Sequence, residues 1–359
     1  MPQPYKIDLF SDTNTNPSQE MRAFMCQAKV GNEVAGEDPT VNTLLERVCD
    51  LLGKERAIFL PSGTMCNGIA YRVLCKRPGD LIILDKTSHP IYKASGLIGG
   101  LAHAVPHVVN GERGIFQASQ IESVLTQQRG YNLSFPRVVS IEQTTNFGGG
   151  AIWPFQTLKE VCHLAHRYQA YTHLDGARLW NAAAETGIPA ATYAQFFDSV
   201  WVDFSKGLGA PMGAVLAGSK EFIEEAWYYK FQQGGGLHQA GILAAGCLYA
   251  LDHNLKKIKN LHSMAKRLTI LLKNLSFIEI NGDHVETNIV CFEINHPTLN
   301  AFDFELLLKK EGIRTLALNH KTIRAMIHLD ITEEDIIDVF HVLERIGRND
   351  DGKKAASSS

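Results

Sequence analysis

Short runs of apolar residues alternate with amphipathic stretches from about residue 39 to residue 219. Seven of these runs have the length and composition of β-strands: AIFLP (57–61), LIIL (81–84), HAVPHVV (103–109), VVSIE (138–142), THLD (172–175), SVWVDFS (199–205) and AVLAGS (214–219). Intervening stretches show the three-to-four spacing of sheet-covering helices: TMCNGIAYRVLCK, ASQIESVLTQQ and LKEVCHLAHRYQ. The alternation predicts a large α/β domain with a doubly wound sheet.

Two local signals refine this prediction. Pro39 begins a predicted helix through LLERVCDLLG, and Gly53 ends it. The sixth and seventh runs are joined only by KGLGAPMG (206–213), which is too short for a crossover helix. These two strands must therefore form a hairpin, so the seven-stranded sheet is predicted to be mixed.

The pattern changes after a helical region that extends to about residue 275. The segments FIEING, TNIVCFEI, IRTLAL and TIRAMIHLDI are strand-like, and EEDIIDVFHVLERIG is helical. We therefore expect a large domain over residues 21–255 and a smaller C-terminal α+β domain over residues 256–348. Residues 1–20 are polar and turn-rich and are expected to form an extended arm. The low-complexity tail 349–359 is expected to be disordered.

Composition excludes several classes of protein. Of 359 residues, 45% are hydrophobic and 20% are charged, as in ordinary globular proteins. The net charge of -3 gives no electrostatic reason to expect nucleic acid or acidic lipid as a partner. The chain begins without an apolar signal core and has no run long enough to span a bilayer. Seven scattered cysteines lack paired metal spacing, so we expect a reduced cytoplasmic protein without a metal site.

Two charged residues stand at the ends of predicted strands, where doubly wound sheets place their sites. Lys206 follows the sixth strand and enters the glycine-rich turn, where small neighbours leave its amine room to react. An isolated turn lysine is more often simply solvated. Asp175 ends the fifth strand, where a carboxylate needs a polar partner. Its alternative role is to cap a helix that starts near Ala177.

Further polar residues lie at other strand ends. In PSGTMCN (61–67), Gly63 allows close backbone approach, and Thr64 with the following helix N-terminus can hold a phosphate. His89 can stack on a flat ring and relay protons near neutral pH, or it is a surface histidine before a proline. Arg178 and Arg324 can each bind a carboxylate with two hydrogen bonds.

Together these residues match the needs of pyridoxal 5′-phosphate (PLP). This cofactor requires a lysine that bonds its aldehyde and an acid that keeps its ring nitrogen protonated. It also requires donors for its phosphate and a cation for the substrate carboxylate. Lys206, Asp175, Gly63 with Thr64, and the two arginines supply these groups in turn.

At this point the chain resembles a known family, the threonine aldolase group of the β-eliminating lyases, which are PLP enzymes with the aspartate-aminotransferase (type I) fold. The resemblance extends from residue 6 to beyond residue 330. Its matching segments are KIDLFSDT, VGNEVAGEDPTVN, LPSGTMCN, THLDGARLWNA, FSKGLGAPMGAVLAGS, QQGGGLHQAGILAAG, TNIVCFEI and TIRAMIHLDIT.

The resemblance implies a role for individual residues. Lys206 matches the lysine that holds the cofactor, Asp175 the partner of the pyridinium nitrogen, and His89 the histidine that stacks on the ring. The other implied positions fall around the cofactor (Gly63, Thr64, Arg178 and Ser205) or around the substrate (Ser11, Arg178, Arg324 and Thr145). Homodimers or homotetramers with shared active sites are also implied, since the family brings the GGG segment to a neighbouring subunit's cofactor.

The chain departs from the family pattern at the side-chain end of the substrate pocket. Ala35 replaces a tyrosine at the mouth of the site, and Thr145 replaces a histidine that helps to hold the substrate hydroxyl. Lys93 stands where the family has an acidic residue. Phe231 and His238 stand where the family has a lysine and an arginine, and Lys230 lies one position before the first of them.

The activity implied is retro-aldol cleavage of a β-hydroxy-α-amino acid, of the L-threonine or L-allo-threonine type, to glycine and an aldehyde. His89 is the candidate for removing the hydroxyl proton. Alternatives that use the same cofactor residues are β-elimination, racemisation and transfer of the glycyl carbanion to another aldehyde. A catalytically idle PLP-binding protein is a different class. An NAD-dependent dehydrogenase ranks last, because no GxGxxG follows the first strand.

Overall fold

The structure of the protein is a computed structural model that describes residues 5–127, 130–280 and 285–357, with side chains up to residue 348. The chain divides into two compact units. The larger unit is Pro17–Lys256, and the smaller unit contains the described residues up to Asn16 and from Lys257 onward. This division lies one residue from the boundary predicted at 255/256.

The strands of both units are β1 (Ile7–Asp8), β2 (Arg56–Leu60), β3 (Leu81–Asp85), β4 (Val105–Val109), β5 (Pro136–Glu142), β6 (Tyr171–Gly176), β7 (Ser199–Asp203), β8 (Ala214–Gly218), β9 (Ile278–Glu279), β10 (Ile289–Ile294), β11 (Ile313–Arg314), β12 (Leu316–Ala317) and β13 (Thr322–Met326). The α-helices are α1 (Gln19–Cys26), α2 (Pro39–Leu52), α3 (Gly63–Leu74), α4 (His89–Tyr92), α5 (Leu97–Gly100), α6 (Ala118–Leu125), α7 (Phe155–Arg167), α8 (Leu179–Thr186), α9 (Ala190–Ala194), α10 (Lys220–Gln232), α11 (Gly241–Tyr249), α12 (Ile258–Leu272), α13 (Ala301–Lys310) and α14 (Glu333–Ser357). Short 3-10 or π-helical turns are Asp12–Asn14, Ala250–Asn254 and Leu255–Lys257.

The larger unit is built on a seven-stranded sheet in the order β2-β8-β7-β6-β5-β3-β4. All seven apolar runs form these strands, so the predicted α/β fold with a mixed sheet is confirmed. The five strands from β7 to β4 are parallel to their neighbours. Pro106 lies in the edge strand β4, where a residue without a backbone N–H is tolerated.

The turn between β7 and β8 produces the one reversal that the sequence predicted. β8 runs antiparallel to β7 and also to β2. Gly213 has φ of +121°, a backbone conformation that side-chain-bearing residues rarely adopt. β7 runs parallel to β6, so the two strands end at the same edge of the sheet. The turn 204–213, which follows β7 and leads into β8, therefore lies at that edge.

Helix α2 begins and ends as the sequence predicts. Pro39 is its first residue, and Gly53 follows it with φ of +61°. Asp38 caps the helix by accepting the N–H groups of Thr40 and Val41. The other oxygen of the same buried carboxylate accepts the N–H groups of Gly31 and Gly241, so Asp38 joins three segments of the larger unit.

Helix α3 covers the sheet and joins a core built mainly from α3, α10 and the strands beneath them. Its buried apolar members include Ile69, Val73 and Leu74, which pack with Ile58 and Leu216 of the sheet. The residues of α3 that face the strands therefore determine which side chains fit between the helix and the sheet.

The smaller unit contains an antiparallel sheet in the order β12-β13-β10-β9, packed with α12, α13 and α14. The predicted α+β character of this part is confirmed. The single run IRTLAL forms two strands, because the chain changes sheets at Thr315. β11 pairs in parallel with β1, so the first residues join this unit as a strand and do not form a separate arm.

The C-terminal helix extends further than the composition suggests. Residues 349–357, which we expected to be disordered, continue α14 to Ser357, and residues 358 and 359 lie outside the described part of the chain. Lys and Ala are strong helix formers, so this segment can prolong a helix that begins on packed residues.

Two further features concern the whole described chain. No helix among residues 5–127, 130–280 and 285–357 is long and apolar enough to cross a membrane. No disulfide joins the seven cysteines, and Cys66, Cys75, Cys162 and Cys247 are buried.

Candidate active site

Polar side chains collect on one face of the sheet, where β5, β6 and β7 end. Glu142 is opposite Asp175 in the strand register, and Asp175 is opposite Trp201. One step earlier, Ser140 is opposite His173. Because side chains alternate along a strand, residues two apart share a face. The two rows therefore form one polar patch beneath α3.

Asp175 is almost fully buried at the end of β6, and both of its oxygens accept hydrogen bonds. The side-chain amide of Asn67 donates to Oδ2 at 2.8 Å, and the backbone N–H of Ala177 donates to Oδ1 at 3.1 Å. Both partners are donors, as an ionised carboxylate requires. Asp175 thus accepts the backbone N–H of the turn before α8, and its carboxylate still faces the site.

The orientation of the Asn67 amide follows from its other partners. The indole N–H of Trp201 lies 2.8 Å from Oδ1 of Asn67 and can only donate. Oδ1 therefore faces Trp201, and the amide NH₂ must face Asp175. Nε2 of His173 is 2.9 Å from the same oxygen, so it carries the imidazole hydrogen.

His173 is held in one neutral form. Nδ1 lies 2.8 Å from the hydroxyl of Ser199, which then donates to it. Burial lowers the pKa of His173 to about 3, so the ring stays uncharged at neutral pH. Tyr71 of α3 packs edge-on against the imidazole and shares a 2.8 Å hydrogen bond with Ser140. His173 is therefore a structural support under Asn67, with no proton to exchange near pH 7.

Lys206 lies just beyond β7 and is largely but not completely buried. Its ammonium forms a short ion pair with Asp203 and lies 5.2 Å from the ring centroid of Trp201. Ser205 also turns toward Asp203, donating its backbone N–H and its hydroxyl to Oδ1, each at 2.7 Å. The candidate lysine and the candidate cofactor serine thus meet at one carboxylate.

His89 begins α4 and reaches the same region. Its backbone N–H donates to Glu142 at 2.7 Å, and the second oxygen of Glu142 accepts the N–H of Asn146 at 2.6 Å. Burial lowers the pKa of His89; the charges of Lys206 and Arg178 act in the same direction, while Asp175 opposes them. The imidazole is therefore neutral near pH 7 and able to accept a proton.

Glu142 is a second buried acid in this cluster. Burial, with the nearby charge of Asp175, raises the pKa of Glu142 to about 7. Its two backbone hydrogen bonds and the positive charge of Arg178 oppose that rise. Arg178 is itself buried at the start of α8, where its backbone N–H donates to the carbonyl of Gln143.

The turn from β2 into α3 brings backbone close to Trp201. Gly63 is buried, and a Cβ built on it would lie 2.0 Å from Cη2 of the indole. Ser62 caps the helix by accepting the N–H of Met65, and Thr64 is exposed on the first turn. The helix N-terminus therefore opens next to the polar patch, where it can hold a phosphate.

The donor set of this patch fits PLP. Within the described part of the chain, each oxygen of Asp175 accepts one hydrogen bond, which leaves a lone pair for a pyridinium N–H. Lys206 offers a primary amine at the end of the next strand. The beginning of α3 completes the set, because its first N–H groups and Thr64 can hold a phosphate.

The side chain of Thr145 bonds and packs within its own loop. Its hydroxyl donates to the carbonyl of Arg113 at 2.9 Å, and its side chain is buried. Cβ atoms built on Gly114 and Gly148 would both overlap Thr145, so the loop closes tightly around it. Toward a substrate, the Thr145 oxygen can only accept a hydrogen bond.

The other departures from the family pattern lie mostly on the surface. Ala35, Lys93, Phe231 and His238 are exposed. Lys230, in contrast, is fully buried, forms a short ion pair with Glu33 and lies 4.3 Å from the ring centroid of Trp227. Burial lowers the pKa of Lys230, against the charge of Glu33.

The Lys230–Glu33 pair anchors the glycine segment. Glu33 also accepts the N–H of Leu237, and the N–H of Gly235 donates to the carbonyl of Lys230. A Cβ built on Gly235 would lie 2.5 Å from the terminal methyl of Met65 in α3. Lys230 therefore fixes the GGG segment against the start of α3 and does not substitute for the lysine replaced by Phe231.

Ser11 and Arg324 lie together in the smaller unit. Arg324 of β13 is buried and donates to the carbonyl of Phe10 at 3.1 Å. Ser11 follows directly and accepts the N–H and the hydroxyl of Thr13. The two candidate substrate residues are thus neighbours, although 313 positions separate them in the chain.

Sequence reasoning missed four residues of the patch: Asn67, His173, Trp201 and Asp203. A signal for each was present. Asn67 is four residues after Gly63, on the same face of α3, and the others are two residues from Asp175 or from each other along their strands. What the sequence lacked was the register of β6 with β7, which makes these positions adjacent.

The chain is similar to known proteins both in its amino-acid sequence and in its fold. A model of the family described as beta-eliminating lyase matches residues 8–295. The chain is 37% identical to low-specificity L-threonine aldolase 1 of Arabidopsis thaliana, over 92% of this chain and 93% of that protein. It is 32% identical to the low-specificity L-threonine aldolase of Escherichia coli K12, over 93% and 97% of the two chains. The threonine aldolase structure from Leishmania major superimposes with a TM-score of 0.81 at 19% identity, covering 95% of this chain and 99% of that one.

We expect Gly63→Ala to destabilise the larger unit, because the new methyl group must displace the Trp201 indole that orients Asn67. Overpacking of this kind costs about 1–3 kcal/mol. Gly99→Ala in α5 is the matched control, since a Cβ there meets nothing within 4 Å. Thermal unfolding of the two variants is the measurement. Equal melting temperatures for both would contradict this account of the packing.

Proposed function

We propose that this chain, which belongs to the beta-eliminating lyase family, cleaves β-hydroxy-α-amino acids of the threonine type to glycine and an aldehyde. It is a PLP-dependent carbon–carbon lyase. The observation that carries the proposal is the polar patch that α3, β6 and β7 build around Asp175 and Lys206. The same residues lie within the chain's similarity to low-specificity threonine aldolases, which covers more than nine-tenths of both chains.

In this proposal the patch holds and tunes the cofactor. Bound PLP supplies an electron sink for the pair released when a bond to the substrate Cα breaks. Lys206 holds the cofactor covalently, and Asp175, fixed by Asn67, accepts the hydrogen bond of the ring nitrogen. Gly63 and Thr64 would hold the phosphate, and Ser205, whose N–H and hydroxyl donate to Asp203, is proposed to lie beside the cofactor next to Lys206.

His89 is the proposed acceptor of the substrate's hydroxyl proton. It is neutral near pH 7, because burial and the neighbouring positive charges lower its pKa. A neutral imidazole can take a proton directly or through water, whereas a threonine hydroxyl cannot act as a base at this pH. Glu142 positions His89 through the backbone N–H.

Arg178 and Arg324 are the proposed carboxylate-binding residues, with Ser11 beside the second of them. By holding the carboxylate, these residues would fix the orientation of the three other bonds of Cα and so select which of them is cleaved. Cleavage of Cα–Cβ requires the β-hydroxyl to face the proton acceptor. Thr145 can receive that hydroxyl only as a hydrogen-bond acceptor, since its own hydrogen is bound to Arg113.

We also propose that the enzyme is a homodimer or homotetramer with shared active sites. The exposed apolar side chains of the larger unit include Phe24, Val30, Val34 and Ile242, each between 42% and 46% exposed. These four lie on α1, on the loop before α2 and on α11, which contact one another. Apolar side chains grouped in this way are typical of a surface that another subunit covers.

A cytoplasmic location is part of the proposal. It is supported by seven cysteines that form no disulfide, four of them buried, as expected of a protein kept in a reducing compartment.

The first test of the proposal is the position of the covalent link. Reduction of the yellow protein with borohydride, followed by peptide mapping, should place the phosphopyridoxyl group on Lys206. Lys54, another partly buried lysine of the larger unit, serves as the internal control and should remain unlabelled. Label on any other lysine, or on none, would overturn the assignment.

The second test concerns the substrate pocket. Ala35 and Thr145 are smaller than the tyrosine and histidine of the family pattern, so we expect loose selection and better turnover of bulkier β-substituents than of threonine. A lost contact to a substrate hydroxyl costs about 0.5–1.5 kcal/mol, which is a several-fold change in discrimination.

Thr145→His should therefore raise kcat/KM for threonine several-fold relative to phenylserine. Thr145→Val, which has the shape of threonine without its hydroxyl, controls for the change in polarity alone. A wild type that already strongly prefers threonine, with no gain from histidine, would show that the smaller side chains do not loosen the pocket.

The third test is the oligomeric state. Light scattering of the active protein should give the mass of a dimer or tetramer. Ile242→Glu should weaken assembly, because it places a charge within the exposed apolar group, whereas Glu224→Gln on the surface of α10 should not. Full activity from a monomeric wild type would rule out shared sites.

A further inference from the structure

The ion pair between Asp203 and Lys206 sets this lysine apart from an ordinary strand-end lysine. Asp203 is the last residue of β7, and its side chain is only 3% exposed, compared with 18% for Lys206. Because both side chains are largely buried, the carboxylate acts on the ammonium with less screening by water than at an exposed site.

The position of Asp203 is fixed independently of the lysine. Its Oδ1 accepts the backbone N–H and the hydroxyl of Ser205, each at 2.7 Å, which leaves Oδ2 directed at Lys206. The ring of Trp201 also faces the ammonium, with its centroid 5.2 Å away. A carboxylate and an aromatic face both stabilise a positive charge at this point.

The other titratable groups near the pair are either engaged by another residue or uncharged, so Asp203 is the partner of the Lys206 ammonium. Asp175 on β6 is engaged by Asn67. Burial raises the pKa of the thiols of Cys66 on α3 and Cys247 on α11, so both stay uncharged. Burial lowers the pKa of His89 on α4, which is likewise neutral near pH 7.

We propose that Asp203 is a positioning residue that holds Lys206 as an ammonium, turned toward β7, whenever the lysine is not bonded to the cofactor. This inference rests on the proposed function, in which Lys206 is the cofactor lysine. Asp203 itself need not touch substrate or cofactor.

When a substrate replaces Lys206 on the cofactor, protons would pass from the substrate nitrogen to the lysine nitrogen, and the ion pair with Asp203 would stabilise the resulting charge. The substrate enters as an ammonium, and its nitrogen takes over the bond that Lys206 held. The Lys206 nitrogen, which would carry one proton while bonded, would receive the two protons that the substrate nitrogen gives up and so leave as an ammonium. Asp203 then receives this charge and holds the lysine away from the new bond until it must return as a neutral amine.

Asp203→Asn tests the inference. Asparagine keeps an oxygen for the two donors of Ser205, but it removes the negative charge and replaces the acceptor that faces Lys206 with an NH₂ group. In the full chain freed of cofactor, we would measure the rate at which a small acylating reagent modifies Lys206 as a function of pH, by peptide mass spectrometry. Because the charge beside the ammonium is removed, we expect Lys206 to be modified several-fold faster at neutral pH than in the wild type, so that the midpoint of its profile moves to lower pH.

Asp252→Asn is the matched control, because it removes one acid and its ion pair with Arg47 elsewhere in the larger unit. It should leave the Lys206 profile unchanged. Asp203→Ser is measured in parallel, so that poor folding of one variant does not end the test. An unchanged midpoint in the folded Asp203 variants would overturn the inference.

A second readout uses the cofactor-loaded enzyme. The pH at which its yellow colour fades should also fall in Asp203→Asn, since the carboxylate stabilises a proton on the linking nitrogen. If borohydride labels a lysine other than Lys206 in the wild type, the proposed function fails, while the acylation profile still reports on Asp203. If labelling succeeds and neither midpoint moves, only the role of Asp203 is wrong.

Discussion

The side-chain amide of Asn67 is the contact on which the site depends. It lies in the interior, accepts hydrogen bonds from Trp201 and His173, and donates one to Asp175. An indole N–H cannot accept, so the amide has a single possible orientation, and Asp175 is presented as a carboxylate with a lone pair to spare. Loss of the amide would leave several buried polar groups without partners, at about 1–3 kcal/mol each.

The polar patch is possible because one helix fits onto it. Gly63, Asn67 and Tyr71 lie four residues apart and form a stripe along α3. Glycine admits the Trp201 ring, asparagine bridges β6 and β7, and tyrosine closes the far end against Ser140 and His173. The same three side chains of α3 therefore both pack the helix on the sheet and position the polar groups of the site.

Burial gives these groups their chemistry. It keeps His173 and His89 neutral, so the first supports Asn67 and the second can accept a proton. An ammonium removed from water needs a partner: the partly buried Lys206 has Asp203, and the fully buried Lys230 has Glu33. The first pair belongs to the reactive centre, whereas the second only anchors the glycine segment beside it.

The amino-acid sequence by itself determined the architecture, and it pointed to the end of the sheet where the active site is proposed. Apolar runs fix strands because a buried parallel strand must be apolar throughout, and the short KGLGAPMG turn requires a hairpin. Lys206 and Asp175 were identified because charges at the ends of such strands are unusual and chemically specific. The same local signals placed the beginning and end of α2 at Pro39 and Gly53.

Only the tertiary structure decided which other side chains meet these two. Asn67, His173, Trp201 and Asp203 read as ordinary helix and strand residues, because the contacts that matter join positions up to 134 residues apart. Strand register and helix packing determine those contacts, and neither can be predicted from the local pattern of apolar and polar residues. The pairing of β1 with β11, and the burial of Lys230 on Glu33, were hidden for the same reason: a long-range partner determines the state of the residue, and the sequence around it does not name that partner.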